Sequence, residues 1–508
     1  MAGAVAWLIL LCALAVAGSS KRAERWRSLA PRAEQRASNG NTPKQVYLCP
    51  LNRESLTNWA DENCYWSTSY AEAREKFVSL GNRLREQLMI SQDENAILDL
   101  LDVQSISYDI AGDSEYYKSL QAIDASTLQT IAPERDTVDA ILLTMRVPED
   151  HIDIIHSSGT HGVEGYLGSA VQIQFLHELF LQNEELIMQS KEQEKSSEYE
   201  NGKVRKKILL IHAVNPFGMR HHRRTNENNV DLNRNVLAPD QIKAVIERDP
   251  NYFGYVDMDP ALNPVDSRTQ HQRENLPEQS AYDTIHTFMN EMGSIASVIR
   301  SIVKIIASKG YSNAKRTIVS AQYHNKAGVF YGGNGRWESS IVAVQHAIDE
   351  FAGFSLSSGN SDAQSKVFWI DVHTGLGKFG SYALLQKETP ENSVWTSQLN
   401  TLVAGLEQKQ ASSSKAVSSG YEQTVGFING GVLCPPPSCF TITQEFGTRP
   451  GVAVVLSLVL ENKGFNWGKG EFAYLTSNAF QPQRLSWRRI ALRGGSEMLQ
   501  AAVKFQTR

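Results

Sequence analysis

Four short segments of this sequence combine residue types that can do chemistry, and each follows an apolar, strand-like stretch. The first is SSGTHGVEG, residues 157–165, which places His161 and Glu164 three positions apart. Residues three apart on a helix or tight turn share a face, so an imidazole and a carboxylate with this spacing can bind one metal ion. The pair alone is weak evidence, because most H-x-x-E pairs are ordinary surface residues.

The second segment, residues 215–235, is dense in arginine and asparagine and reads NPFGMRHHRRTNENNVDLNRN. The planar guanidinium of arginine suits bidentate binding of a carboxylate or an oxyanion. A basic surface loop is the alternative interpretation, and it would be preferred for an isolated Arg-Arg pair. The Asn-Pro at the strand end and the run Asp-Leu-Asn-Arg-Asn make a binding role competitive with that alternative.

The third and fourth segments each end a strand with a polar side chain. In DVHTGLG, residues 371–377, His373 closes an apolar run, and in TQEFGT, residues 443–448, Glu445 does the same. A lone histidine at a strand end is usually an ordinary hydrogen-bonded residue. A carboxylate in an apolar setting is costly unless it is paired, so Glu445 is expected to face a cation or a metal-bound water molecule.

In their order, the four segments resemble the zinc carboxypeptidase superfamily, which includes carboxypeptidase A-like peptidases and aspartoacylase- and succinylglutamate desuccinylase-like deacylases. The motifs SGTHGVEG, VDLNRN, DVHTGLG and EFGT are similar to those of a carboxypeptidase-like domain family of unassigned substrate. This resemblance covers most of residues 66–464. The resemblance implies one zinc ion per chain, bound by His161, Glu164 and His373. It also implies that Asp231 orients His161. Such a ligand set leaves a fourth zinc position open for water, as catalytic sites require.

The resemblance implies roles for the other polar residues of these segments. Glu445 would act as general base and then as general acid. Arg223, in preference to Arg224, would polarise the scissile carbonyl and steady the oxyanion. Asn233 and Arg234 would hold a substrate carboxylate.

The sequence departs from carboxypeptidases in two respects. The segment between Glu164 and His373 is long and contains a charged stretch at 183–207 that is expected to be an exposed insertion. The tyrosine that caps the substrate in carboxypeptidases has no clear counterpart, and Tyr323 and Tyr331 in QYHNKAGVFYGG are the candidates. Substrate specificity therefore stays open.

These roles predict a zinc-dependent hydrolase that cleaves an amide bond next to a free carboxylate, in the manner of a metallocarboxypeptidase. Its substrate would be a peptide C-terminus or an N-acyl amino acid, and a deacylase of N-acyl amino acids is the close alternative. An inactive binding module with the same fold is an alternative of another class. It is disfavoured because such a module would be expected to lack a ligand or the glutamate. A serine hydrolase is disfavoured because the sequence contains no G-x-S-x-G motif.

The elements that must position these segments alternate between strands and helices. Helices are expected at 69–88, 165–182, 278–308 (one or two) and over the last 25 residues. Strands are expected at 138–147, 151–158, 207–214, 317–323, 366–373 and 439–446. This alternation predicts an α/β fold with a mixed, largely parallel sheet and helices on both faces. Active sites of such sheets collect in loops beyond the strand ends.

Composition bounds the function as well. The chain has 508 residues, of which 41% are hydrophobic and 21% charged, and these are values of an ordinary globular protein rather than a disordered or fibrous one. Fifty basic and fifty-five acidic side chains give a formal net charge of -5. The charge offers no attraction for nucleic acid, so a nucleic-acid partner is not expected.

The N-terminus resembles a secretory signal peptide. Residues 4–17 form an apolar run that ends in Ala15-Val16-Ala17, and it is short for a membrane span. We expect a signal peptide at 1–20, a flexible leader and short extension at 21–65, and one catalytic domain at 66–508. The mature chain is expected to be secreted or lumenal, without a membrane span.

Cysteine usage agrees with that compartment. Four cysteines follow the apolar run, an even number that suggests two disulfides with three pairings open. The local pairing, Cys49 with Cys64 and Cys434 with Cys439, is the simplest of the three.

Overall fold

The structure of the protein is a computed structural model. It describes residues 49–57, 59, 61–94, 99–110, 135–148, 152–192, 203–263, 307–308, 310–352, 366–386, 402, 421, 424–436, 439–466 and 472–505. The expected signal peptide, most of the expected leader and nearly all of the helix expected at 278–308 lie outside these residues.

Strands and helices alternate along the described chain. The strands are β1 (Leu100–Asp109), β2 (Thr137–Pro148), β3 (Asp153–Ser158), β4 (Lys203–His212), β5 (Val367–Gly375), β6 (Tyr382–Leu385) and β7 (Cys439–Gly447). The α-helices are α1 (Arg53–Leu56), α2 (Tyr70–Glu94), α3 (Gly165–Glu192), α4 (Pro216–Arg220), α5 (Pro239–Glu247), α6 (Tyr255–Leu262), α7 (Tyr311–Val319), α8 (Ser339–Ala352), α9 (Gly451–Asn466), α10 (Ala473–Phe480) and α11 (Leu485–Lys504). Short 3-10 turns lie at Glu62–Cys64, Gly162–Glu164 and Leu232–Arg234.

The described strands form one seven-stranded sheet in the order β1-β2-β4-β3-β5-β7-β6. Its centre, β4-β3-β5-β7, is parallel. The flanking strands β1, β2 and β6 run antiparallel to their neighbours. Every residue of β3 and β5 is buried, as expected for central parallel strands covered on both faces. The predicted α/β fold with a mixed sheet is confirmed.

Helices cover both faces of this sheet. Successive side chains of a strand point to opposite sides, so a buried apolar strand needs a covering layer on each face. On one face, Ile154 and Phe368 join a hydrophobic cluster with residues of α2, α3 and α11. On the other face, Ile155 and Trp369 join a second cluster with residues of α8. The strands are therefore held between two apolar layers.

Two sequence-based expectations about elements were wrong, and two strands were missed. Residues 317–319, expected to begin a strand, end α7, where Ala314 and Ile318 are buried at helical spacing. The charged stretch at 183–207 was expected to be an exposed insertion, but its first part continues α3 to Glu192 and its last part belongs to β4, which begins at Lys203. Residues 193–202 lie outside the described residues. The missed strands are β1 and β6 at the two sheet edges.

The structure joins Cys49 to Cys64 and Cys434 to Cys439, with Cα atoms 5.5 Å and 5.3 Å apart. This is the local pairing. Among the helices of the described ranges, none combines the length and apolar character that crossing a membrane requires.

Candidate active site

Three side chains converge at the carboxyl ends of adjacent parallel strands. The chain leaves β3 at Ser158 and turns through Gly159, whose φ of +73° favours glycine, to reach His161. His373, near the end of β5, pairs in register with Glu445 of β7. Because the carboxyl ends of parallel strands share one sheet edge, these side chains meet there.

Close packing of two loops fixes the turn that carries Glu164. A Cβ atom added at Gly162 would clash with the backbone of Gly218 at the start of the arginine-rich segment. The N–H of Val163 donates to the carbonyl of Arg223 at 2.8 Å, which joins the same two segments. The glycine therefore allows the metal-binding segment and the arginine segment to approach each other.

His161, Glu164 and His373, called the metal trio below, are buried and could hold one metal ion. Nδ1 of His161 lies 3.0 Å from Oε1 of Glu164, and Nδ1 of His373 lies 3.1 Å from Oε2. The N–H of Thr374 also donates to Oε2 of Glu164 at 2.9 Å. Burial raises the pKa of Glu164, but His161 and His373 outweigh it and lower that pKa.

The outer nitrogens of both histidines face carboxylates. Nε2 of His161 lies 3.1 Å from Oδ1 of Asp231, and Nε2 of His373 lies 2.6 Å from Oδ2 of Asp371. Metal-binding histidines generally donate their second N–H to such a carboxylate. Asp371 in turn accepts hydrogen bonds from the hydroxyls of Ser157 and Thr160.

This arrangement fits a metal ion. If each Nε2 hydrogen is donated outward, both neutral rings present an Nδ1 lone pair to the centre of the metal trio. The two Nδ1 atoms are only 3.0 Å apart. Facing lone pairs repel each other, whereas a cation between them, either a proton held by His373 or a metal ion bound to both rings, would relieve the repulsion. Two imidazoles and one carboxylate are a donor set of catalytic zinc sites.

Arg224 is the arginine that faces the metal trio. Its Nη1 lies 3.3 Å from Oε1 of Glu164, and its Nε donates to Oδ2 of Asp231 at 3.0 Å. Burial raises the pKa of Asp231, but Arg224, followed by His161, holds that pKa well below its usual range. A positive charge thus lies directly beside the metal trio.

Arg223 does not line this site, in contrast to the sequence-based preference. Its Nε donates to Glu461 at 2.6 Å and its Nη2 to Asn229 at 2.8 Å. Its guanidinium stacks on the ring of Phe465, 3.3 Å from the centroid. The side chain of Arg223 therefore forms a buried ion pair with α9. Arg224 instead lies beside the metal trio, where Arg223 was expected.

Asn233 and Arg234 both line the cavity beside the metal trio. Oδ1 of Asn233 accepts from the N–H of Ile428 at 3.0 Å, and Nε of Arg234 donates to the carbonyl of Val319 at 3.2 Å. Burial lowers the pKa of Arg234. Both side chains are held by backbone groups, so they are positioned before any ligand arrives.

Among the tyrosines that the structure describes, Tyr421 is the one that reaches the cavity. Tyr331 is 8% exposed, packs in the hydrophobic cluster beside α8 and lies away from the cavity wall. The hydroxyl of Tyr323 donates to the carbonyl of Arg234 at 2.8 Å. The guanidinium of Arg234 lies 5.7 Å from the ring of Tyr421.

Glu445 faces the same cavity from β7. Its Oε1 accepts a hydrogen bond from the N–H of Leu376 at 2.8 Å. Burial, followed by the nearby charge of Glu164, raises the pKa of Glu445 to about 7. A carboxyl group with such a pKa can both accept and return a proton near neutral pH.

Sequence reasoning missed Asp371 and Tyr421. Asp371 lies two residues before His373, and side chains two apart on a strand share a face, so that spacing was a usable signal. Tyr421 follows a stretch without clear periodicity, and nothing in its local sequence marks it.

The metal trio, Arg224, Asn233, Arg234, Tyr421 and Glu445 share one cavity of about 720 Å³. This volume is within the range that holds a small organic ligand. These features define an α/β protein with a candidate metal centre at the carboxyl edge of its sheet, open to a ligand-sized cavity.

The chain belongs to the family described as "Protein of unknown function (DUF2817)", whose model matches residues 133–493. No curated protein matches the chain. Among solved structures, it is similar to a putative succinylglutamate desuccinylase/aspartoacylase from Shewanella frigidimarina NCIMB 400. The identity is 13%, the match covers 73% of this chain and 72% of the other, and the TM-score is 0.23, too low to support a conclusion about function.

Proposed function

We propose that the protein is a zinc-dependent hydrolase that cleaves an amide bond next to a free carboxylate, as in an N-acyl amino acid or the C-terminal residue of a peptide. The observation that carries the proposal is the meeting of the metal trio, Arg224, Arg234 and Glu445 in one cavity. The order of their motifs, which resembles the zinc carboxypeptidase superfamily, supports it. An inactive binding module would not need all of these groups together.

Different residues of the chain bind the substrate and transfer the proton. The guanidinium of Arg234, with the amide of Asn233, binds the free carboxylate of the substrate and sets its orientation. Arg224 lies beside Glu164 and steadies the negative charge that develops on the carbonyl oxygen. The metal trio would hold the zinc ion, which would supply polarisation of the carbonyl and a lowered pKa for a bound water molecule.

Glu445 moves the proton. Its raised pKa lets it take a proton from the attacking water and then give that proton to the nitrogen of the leaving amine. One water molecule is consumed, the C–N bond breaks, and a carboxylic acid and an amine are released. Burial of Glu445 at 8% exposure limits exchange of this proton with solvent.

A panel of N-acyl amino acids and short peptides, each compared with its C-terminal amide, tests the proposal with the zinc-loaded protein. The acids should be hydrolysed, and amidation should lower kcat/KM about tenfold to a hundredfold because a charge-assisted pair is lost. Arg234→Lys should remove most of this discrimination, since an ammonium cannot reproduce the planar fork. Arg220→Lys, at an ion pair with Asp136 elsewhere, is the matched control. Equal kcat/KM for acid and amide would contradict a required carboxylate.

We also propose that the chain enters the secretory pathway. The apolar run at 4–17 and the two disulfides support this location. Mass spectrometry of the protein from an expressing cell culture should find it in the medium or the lumen, beginning near residue 20. An intact N-terminus on cytosolic protein would contradict the proposal.

A further inference from the structure

The cavity has two chemically different parts. Basic side chains gather around Tyr421, whose ring centre lies 5.7 Å from the guanidinium of Arg234 and 5.3 Å from Nζ of Lys315. Apolar side chains form another part of the lining. Six of them belong to a single hydrophobic cluster, namely Met258, Ile318, Phe330, Val454, Leu458 and Phe480.

Helix α9 contributes most to this second part, called the apolar wall below. Val452 and Val455 of α9, three residues apart, line the cavity and are half-buried, so they have surface left for a ligand. With Val454 and Leu458, they form an apolar helix surface in the cavity. A surface of this kind gains free energy when it is covered by an apolar ligand.

The apolar wall adjoins the catalytic groups. The ring of Phe330 lies 4.8 Å from the guanidinium of Arg224, which contacts Glu164. The carbonyl of Phe480 accepts a hydrogen bond from the hydroxyl of Thr374 at 2.7 Å, and the N–H of Thr374 donates to Glu164. A substrate held at the metal trio is therefore within contact distance of this wall.

We infer that the acyl part of the substrate is a bulky apolar group, such as a medium-length alkyl chain, which lies along the apolar wall while the free carboxylate binds near Arg234. The inference rests on the proposed function and names its substrate class. The charges support this division, because a carboxylate is attracted to the arginine and lysine around Tyr421. An acetyl group would leave much of the 720 Å³ cavity unfilled.

A series of N-acyl derivatives of one amino acid, with straight acyl chains of two, six and ten carbons, tests the inference with the zinc-loaded protein. We expect kcat/KM to rise about fourfold per added methylene while the chain still contacts the wall. The double variant Val452→Thr/Val455→Thr makes the wall more polar at nearly constant volume. It should lower kcat/KM for the longest substrate about tenfold and leave the acetyl substrate within about twofold.

Val342→Thr is the matched control, because Val342 is a half-buried helical valine of α8 outside the cavity lining. In this variant, the dependence of kcat/KM on acyl-chain length should equal that of the wild type. A flat series in the wild type, or a double variant that behaves like this control, would overturn the inference while leaving amide hydrolysis intact.

Calorimetric binding of acetate, hexanoate and decanoate, the acyl products, separates the inference from the proposed function. Affinity should increase with chain length in the wild type and in Val342→Thr, and much less in the double variant. If affinity increases with chain length in this way but no substrate is hydrolysed, the proposed function would be rejected and the apolar binding site would be supported. Equal binding of decanoate by wild type and double variant would reject the apolar site.

Discussion

Oδ2 of Asp371 lies 2.6 Å from Nε2 of His373, on the opposite side of the ring from Glu164. His161 has the equivalent relationship with Asp231 at 3.1 Å. Each histidine of the metal trio is thus held between an inner carboxylate, shared by both, and an outer carboxylate of its own. Burial lowers the pKa of His373, but Asp371, followed by Glu164, outweighs it and raises that pKa well above its usual value.

Asp371→Asn should weaken zinc binding about tenfold to a hundredfold, because the outer carboxylate orients the histidine and increases its basicity. Competition with a chromogenic chelator measures the affinity. Asp136→Asn, which removes a partly exposed carboxylate paired with Arg220, is the control and should bind zinc as the wild type does. Unchanged affinity in Asp371→Asn, with a normal thermal transition, would show that Asp371 has no part in the metal site.

Glu445→Gln should keep zinc at full occupancy and lower kcat about a hundredfold to ten-thousandfold. The amide preserves the volume of the side chain but cannot accept a proton. Steady-state kinetics on the best substrate of the panel, with metal analysis of the same sample, provides the measurement. A kcat near that of the wild type would place the general base elsewhere.

Arg223→Ala should destabilise the fold by about 3–5 kcal/mol, because it leaves Glu461 buried without its cationic partner. Burial raises the pKa of Glu461, and the charge and hydrogen bond of Arg223 oppose this rise. The free energy of unfolding in urea measures the loss. Adding Glu461→Gln to Arg223→Ala should recover part of it, and a double variant no more stable than the single one would contradict the ion-pair account.

Acid should destabilise the protein between pH 6.5 and 5 through His156 and His212. Burial lowers the pKa of these histidines to about 4 and about 3 from an ordinary 6.5. At these two positions the unfolded chain therefore binds protons first. The contribution of each neutral histidine to stability is present above pH 6.5 and is lost as the pH falls toward its pKa in the folded protein. The loss is about 2 kcal/mol for each histidine at pH 5.

Urea unfolding at several pH values measures this dependence. His212→Gln should flatten the slope of the unfolding free energy against pH, because the buried neutral imidazole is removed. A slope in His212→Gln equal to that of the wild type would contradict the assignment to His212.

Much of the site could be anticipated because its residues follow strands whose apolar patterns are plain. His373 and Glu445 end two fully or largely buried parallel strands, and parallel register alone brings them together. The choice between Arg223 and Arg224 could not be made from sequence. They are neighbours in an irregular segment, and only its packing against α9 decides which guanidinium turns toward Glu461.

The element errors have the same origin in tertiary context. The run at 317–319 is β-branched, yet its burial follows a helix that begins at Tyr311. Strand β1 was missed because it lies at a sheet edge and its buried positions do not alternate regularly. Edge strands depend on the neighbour that they pair with, which a local pattern does not contain.

Removal and return of the metal tests the central claim most directly. The protein is stripped with a chelator, and amide hydrolysis is measured as zinc is added to the wild type and to His373→Ala. Wild-type activity should be absent without metal and should rise in proportion to zinc up to one ion per chain. His373→Ala should neither retain zinc through gel filtration nor regain activity. Full hydrolysis by metal-free wild-type protein, or one tightly held zinc in His373→Ala, would contradict the account.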